Sequence, residues 1–190
     1  MLDQLGANLQ FFIQQTQLNA DILISIVAIL WGVFFISLAL NHRLLWLGII
    51  PRHLQGLPGI FFSPFLHANF NHLFYNTIPL LVLSDFLLIH GLTYYLIITL
   101  SITVISGFLI WLFAKPGIHI GASGVITGYW AVLVSDIYQQ GSFMAIALGL
   151  TSLYAFAGIF FGIFPKDRGV SWEGHLFGLL AGVLMSFVLK

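Results

Sequence analysis

Three stretches of this 190-residue chain set nucleophilic, basic and amide side chains beside small residues. The first is Gly121–Ala122–Ser123–Gly124, a serine among small residues at the start of a short apolar stretch. The second holds His67, His72 and Asn76, and the third opens with Gly174 and His175. A serine hydroxyl becomes a useful nucleophile when a base takes its proton, and a neutral imidazole suits that task near neutral pH. Attack on a carbonyl creates an oxyanion, which needs hydrogen-bond donors. The Ser123 backbone amide, the His72 ring and the Asn76 side-chain NH₂ are the available donors. A carboxylate to complete a triad is absent at the right place. Asp85 lies 13 residues beyond His72 on the same helix, roughly 20 Å away. Asp136 falls at the far end of the stretch that Ser123 opens. Glu173 is two positions before His175, about 200° round a helix. The residues therefore point to a dyad, with Ser123 as nucleophile and His175 as general base.

The elements that must position these groups follow from composition. Hydrophobic residues make up 59% of the chain and charged residues only 6%, where a soluble domain carries about 25% charged residues. The formal net charge is zero and there is no cysteine. These facts argue against nucleic acid as a partner and exclude disulfides and thiolate sites. No Lys or Arg precedes Arg43, so no cleaved signal with a positive n-region is expected. Leu2, Leu5, Leu9, Phe12 and Ile13 recur at helical spacing between polar residues. Residues 1–20 are accordingly expected as an interfacial amphipathic segment in contact with the lipid bilayer. Residues 21–190 are expected as one core of six apolar spans, at about 22–40, 70–89, 92–114, 121–135, 143–164 and 172–189. Between the first two lies an apolar loop broken by Pro51, Pro58 and Pro64 and by Gly48, Gly56 and Gly59. Prolines forbid a straight span there, so short helices and turns within one leaflet are expected. Trp46, Arg43 and Arg52 suit the headgroup level.

The fourth span is short. About 15 residues reach roughly 22 Å, against a hydrocarbon core of about 30 Å. If it leaves on the far side, Ser123 sits below the near surface. The second, fourth and sixth spans must enter from the same side, and His72, Ser123 and His175 each lie near the start of one of them. His72 and Asn76 share a helix face. Gly174, Gly178 and Gly182 repeat every four residues, as do Gly124 and Gly128. This small-xxx-small pattern lets two helices approach closely. Packing the fourth span on the sixth would bring Ser123 and His175 together.

With these residues in place, the chain resembles the rhomboid intramembrane serine proteases over about residues 41–190. The resemblance rests on His67–x₄–His72–x₃–Asn76, on Gly121–Ala122–Ser123–Gly124, and on Gly174–His175–x₂–Gly178–x₃–Gly182. It implies an all-α polytopic membrane protein, a six-transmembrane-helix rhomboid-like bundle with an irregular membrane-associated first loop. It implies a Ser123–His175 dyad, with His72 and Asn76 in the oxyanion hole and His67 holding catalytic water. It implies a water-filled cavity open to one side, no cofactor and no metal. Its substrates would be membrane proteins with helix-destabilised transmembrane segments, cut after a small residue. The gate is expected at the fifth span and the loop at 165–171. Two features depart from the family. Thr127 stands where many members carry an aromatic ring that stacks on the catalytic histidine, and Trp46, Arg52 and His53 do not reproduce a Trp–Arg pair of the first loop.

Two other classes fit some of the residues. One is a rhomboid-like binder that recognises transmembrane helices without cutting them. The other is a channel, transporter or metal site built on His67, His72 and His175. On orientation, two arguments oppose each other. Arg43, Arg52, Lys115, Lys166 and Arg168 lie on the active-site side, and only Lys190 on the other. The positive-inside rule would turn that face to the cytoplasm, whereas the family resemblance implies a cell (plasma) membrane protein with its active site facing outward.

Overall fold

The computed structural model describes residues 2–161, 164 and 171–189. Regular structure among them is helical, apart from one isolated antiparallel bridge between Ile49 and His119. In order, the helices are α1 (Leu2–Ala39), a short α2 (Gly59–Phe62), α3 (Phe70–Leu88), α4 (Leu92–Phe113), α5 (Ser123–Gln139), α6 (Phe143–Phe161) and α7 (Trp172–Val188). Three 3₁₀ turns, Arg43–Leu47, Leu54–Gly56 and Ser63–Phe65, join α2 in the irregular first loop. Two stretches, Gly6–Ala39 and Leu92–Phe113, are long and apolar enough to cross a membrane by themselves, and Phe143–Gly158 and Trp172–Val188 are shorter apolar helices. Exposed side chains such as Ile24 and Phe35 on α1, Leu96 and Leu100 on α4, and Leu184 and Phe187 on α7 need an apolar solvent.

α1 runs unbroken from Leu2 to Ala39, through the expected interfacial segment and into the first expected span. Nothing between Ala7 and Trp31 stops it, because neither proline nor glycine occurs there. Its early turns lean on the far end of α3. The Thr16 hydroxyl donates to Asp85 at 2.7 Å, Asn19 donates to the other carboxylate oxygen at 3.4 Å, and Phe12 meets Phe86 edge-on. Asp85 thus anchors α1 at the end of α3.

α5 is the central helix. Val125 through Leu133 are all buried, and α5 contacts α3, α4, α6 and α7. Its contact with α7 is the most extensive between any two helices of the described residues. Glycine makes that possible. A Cβ added at Gly178 would collide with the Gly124 carbonyl, and one at Gly182 with the Gly128 carbonyl. In the reverse direction, a Cβ on Gly124 would stand 3.1 Å from the Gly174 oxygen, and one on Gly128 3.1 Å from the Gly178 oxygen. The two backbones therefore touch over two turns. At the other end, Gln139 of α5 donates to the Ser186 hydroxyl of α7 at 2.8 Å.

This contact predicts a specific loss. The atoms facing Gly178 are backbone, which cannot swing aside as a side chain would. Gly178→Val must move α7 away from α5, and a misplacement of about 1 Å at the chemistry can cost about 10²-fold in rate. The variant is expected to insert in membranes at the wild-type level while losing the activity proposed below. Full activity with normal insertion would show that this close approach does not position the site.

Candidate active site

His72, Ser123 and His175 stand in the first turns of α3, α5 and α7, with Asn76 one turn beyond His72, and the local sequence explains why the helices start there. Asn69 caps α3, its side-chain oxygen accepting from the His72 amide at 2.9 Å. Ser171 caps α7, its hydroxyl accepting from the Gly174 amide at 3.3 Å. α5 starts at Ser123 after Gly121 turns the chain with φ of 112°, a conformation that favours glycine. Space demands glycine as well, since a Cβ there would stand 2.6 Å from His72 Nε2. The loop before Ser123 is thereby pressed against the first turns of α3.

The first loop holds this arrangement from outside. The Gly121 amide donates to the Ser63 carbonyl at 2.8 Å, and Ile49 and His119 exchange both backbone hydrogen bonds, at 3.0 and 2.9 Å. Arg52, itself at a φ of 61°, closes the C-terminus of α4. Its amide donates to the Trp111 carbonyl at 2.8 Å, and its guanidinium donates to the Ala114 carbonyl at 2.8 Å. Trp111 returns a bond from its indole N–H to the His53 carbonyl at 2.9 Å. The orphan carbonyls at the end of α4 are satisfied this way. Arg52 thus serves as a helix cap rather than only as a headgroup contact.

These elements line an open cavity of about 530 Å³. His72, Asn76, Ser123 and His175 all line it, from α3, α5 and α7. Behind Ser123 lies a smaller cavity of about 30 Å³, whose wall includes Ser63, Thr103, Ser106, His119 and Ser171. That volume and polarity suit one or two waters. Ser123 is the first residue of α5, so its N–H belongs to the unpaired donors of a helix start. Asn76 donates to the His72 carbonyl of its own helix at 2.9 Å; an amide NH₂ has a second hydrogen to offer. No carboxylate is among the described residues on the wall of the large cavity. Glu173 is buried but absent from that wall.

His67 is not on the wall either. It is buried, with its ring edge-on to His72 at 5.0 Å between centroids. Burial, reinforced by the neighbouring His72, pulls its pKa down to about 4. It is therefore a neutral ring at neutral pH, standing behind His72. Thr127 is fully buried, and its hydroxyl donates to the Ser123 carbonyl at 2.7 Å. It braces the first turn of α5 from inside and forms no part of the cavity wall. The expected gate falls partly on residues 165–170, which lie outside the described residues; within α6, Phe156 departs from helical geometry with φ −123° and ψ 22°.

Sequence reasoning overlooked His119 and Ser171. Both line the cavity, and they are joined at 2.7 Å between His119 Nδ1 and the Ser171 hydroxyl. Neither follows a periodic pattern or a known spacing. The one available signal was a histidine four residues before the serine in a loop that also contains Lys115.

Comparison with known proteins agrees with the geometry. The family model for the rhomboid domain matches residues 55–190. An uncharacterised protein of Mycobacterium tuberculosis is 38% identical over 178 residues, covering 88% of this chain and 74% of the relative. An uncharacterised protein of Mycobacterium bovis aligns with the same figures. A third, from Mycobacterium leprae, is 35% identical over 178 residues, covering 88% of this chain and 70% of its own. With a family model spanning most of its length and relatives at this identity, the chain belongs to the rhomboid family and is an integral membrane protein.

Proposed function

We propose that this chain is an intramembrane serine protease that hydrolyses peptide bonds in or near the transmembrane segments of other membrane proteins. The observation that carries the reading is the single cavity walled by His72, Asn76, Ser123 and His175. In this reading the Ser123 hydroxyl attacks the scissile carbonyl carbon while His175 takes its proton. The oxyanion is met by the Ser123 amide, the His72 ring and the free hydrogen of the Asn76 amide. His175 then returns the proton to the leaving amine, which departs and leaves an acyl-enzyme. Water, activated by the same imidazole, hydrolyses the ester and restores Ser123. His67 supports His72 from behind, and the small polar cavity beside Ser123 supplies a place for water.

Six of the helices, all but α2, act as the spans, with the first loop held in one leaflet. A peptide bond inside an intact helix is shielded, because each carbonyl is hydrogen-bonded four residues on. Substrates are therefore membrane proteins whose transmembrane segments carry Gly, Pro or polar residues near the active-site side. They enter past α6 and the loop that follows it.

The test is cleavage by the purified protein in liposomes. Wild type should cut a model transmembrane segment bearing Gly and Pro, and leave a poly-Leu segment intact. Ser123→Ala and His175→Ala should cut neither. Asn76→Ala should keep measurable activity, lowered about 10²–10³-fold as for loss of one oxyanion donor, and His72→Ala should fall between. Equal cleavage by wild type and Ser123→Ala would overturn the reading.

The site faces outward from the plasma membrane, with both termini in the cytoplasm. The charge bias that argues otherwise is weakened by the duties of its members. Arg52 caps α4, and the Lys115 ammonium sits 5.8 Å from the centre of the Trp172 ring. A topology reporter fused after Lys190 is expected to read as cytoplasmic. An extracytoplasmic reading would reverse the orientation.

A further inference from the structure

His119 stands at the junction of three elements that the proposed chemistry needs in register. Its backbone is fixed to Ile49 by two hydrogen bonds. Its ring is held at both nitrogens. Nε2 lies 2.9 Å from the Lys115 carbonyl, and Nδ1 lies 2.7 Å from the Ser171 hydroxyl. A carbonyl oxygen only accepts, so Nε2 carries a proton. In the neutral ring Nδ1 is then the acceptor, and the Ser171 hydroxyl donates to it. The Ser171 oxygen in turn accepts from the Gly174 amide. A chain of hydrogen bonds thus runs from the loop four residues before Ser123 to the first turn of the helix that carries His175.

We propose that His119 is a positioning residue: through Ser171 it sets the first turn of α7, and so the place of His175 opposite Ser123. The inference rests on the protease reading for its effect on rate, though not for its geometry. The glycine contacts fix the distance between α5 and α7. The start of α7 beyond them hangs on Ser171, whose hydroxyl and carbonyl both accept from the Gly174 amide, at 3.3 and 3.1 Å. His119 ties that cap to the loop leading into Ser123. Movement at either end of the chain of bonds would otherwise shift the base relative to the nucleophile.

Asn and Gln separate the two ends of the ring. The Asn side-chain oxygen stands near the position of Nδ1 and can accept from Ser171. The Gln side chain reaches the position of Nε2 and serves Lys115 instead. His119→Ala and His119→Gln are expected to lower kcat about tenfold, a fraction of the loss that a misplacement of about 1 Å can cause. KM should stay within about twofold, because substrate binding is not the step affected. His119→Asn should restore most of the rate. Ser171→Ala should match His119→Ala, and the double variant should be little worse than either, since both break one linkage. His119→Asn as impaired as His119→Ala, or losses that multiply in the double variant, would overturn the inference. If wild type cuts no substrate, the protease reading fails separately, and hydrogen exchange at the Gly174 amide decides the positioning claim. Faster exchange in His119→Ala, returned to the wild-type rate in His119→Asn, upholds it; exchange unchanged in His119→Ala refutes it.

Discussion

The contact of the α5 backbone with the α7 backbone is the constraint on which the rest depends. Two helices in a bilayer gain no hydrophobic drive from meeting, since lipid is as apolar as leucine. They associate through close packing, and close packing at this distance requires hydrogen atoms where side chains would be. Gly124, Gly128, Gly178 and Gly182 provide them. Because Ser123 directly precedes Gly124, and His175 lies one turn before Gly178, the contact that holds the helices also sets the two groups at the same level. Packing and the proposed chemistry share one arrangement.

Such a site needs water and polar groups inside an apolar protein, and polar groups there are costly unless paired. The irregular first loop answers much of that demand. It returns hydrogen bonds to the end of α4 through Arg52 and His53, and to the loop before Ser123 through Ile49 and Ser63. Arg52 adopts a left-handed conformation that costs a non-glycine residue about 1–2 kcal/mol; the bonds it makes to α4 offset it. The loop is therefore a brace. Its prolines and glycines exclude a span and leave backbone groups free to bond elsewhere.

Much of this was legible in the sequence, and the reasons are physical. Apolar runs are long and charged residues few, so the helices are visible, and the glycine spacing of four residues identified which two would touch. His72, Ser123 and His175 could be grouped because alternate spans start on the same side. The starting point of α1 was less visible. Gln and Asn between apolar residues suggest an interface, while continuity through residue 20 depends on the absence of a breaker and on Asp85, a partner 66 positions beyond Asn19. His119, Ser171 and the capping role of Arg52 were hidden for a similar reason. They act through loop geometry and single hydrogen bonds between distant segments, which leave no period in the chain. Thr127 could be seen to replace an aromatic ring, but its bond to the Ser123 carbonyl could not.

The central claim is that Ser123 is a nucleophile activated by His175. Labelling with a fluorophosphonate probe in membranes addresses it without knowledge of any substrate. The account predicts that wild type is labelled at Ser123, that Ser123→Ala is not, and that His175→Ala loses labelling. Labelling of His175→Ala at the wild-type rate, or a wild-type Ser123 inert to the probe, would contradict it.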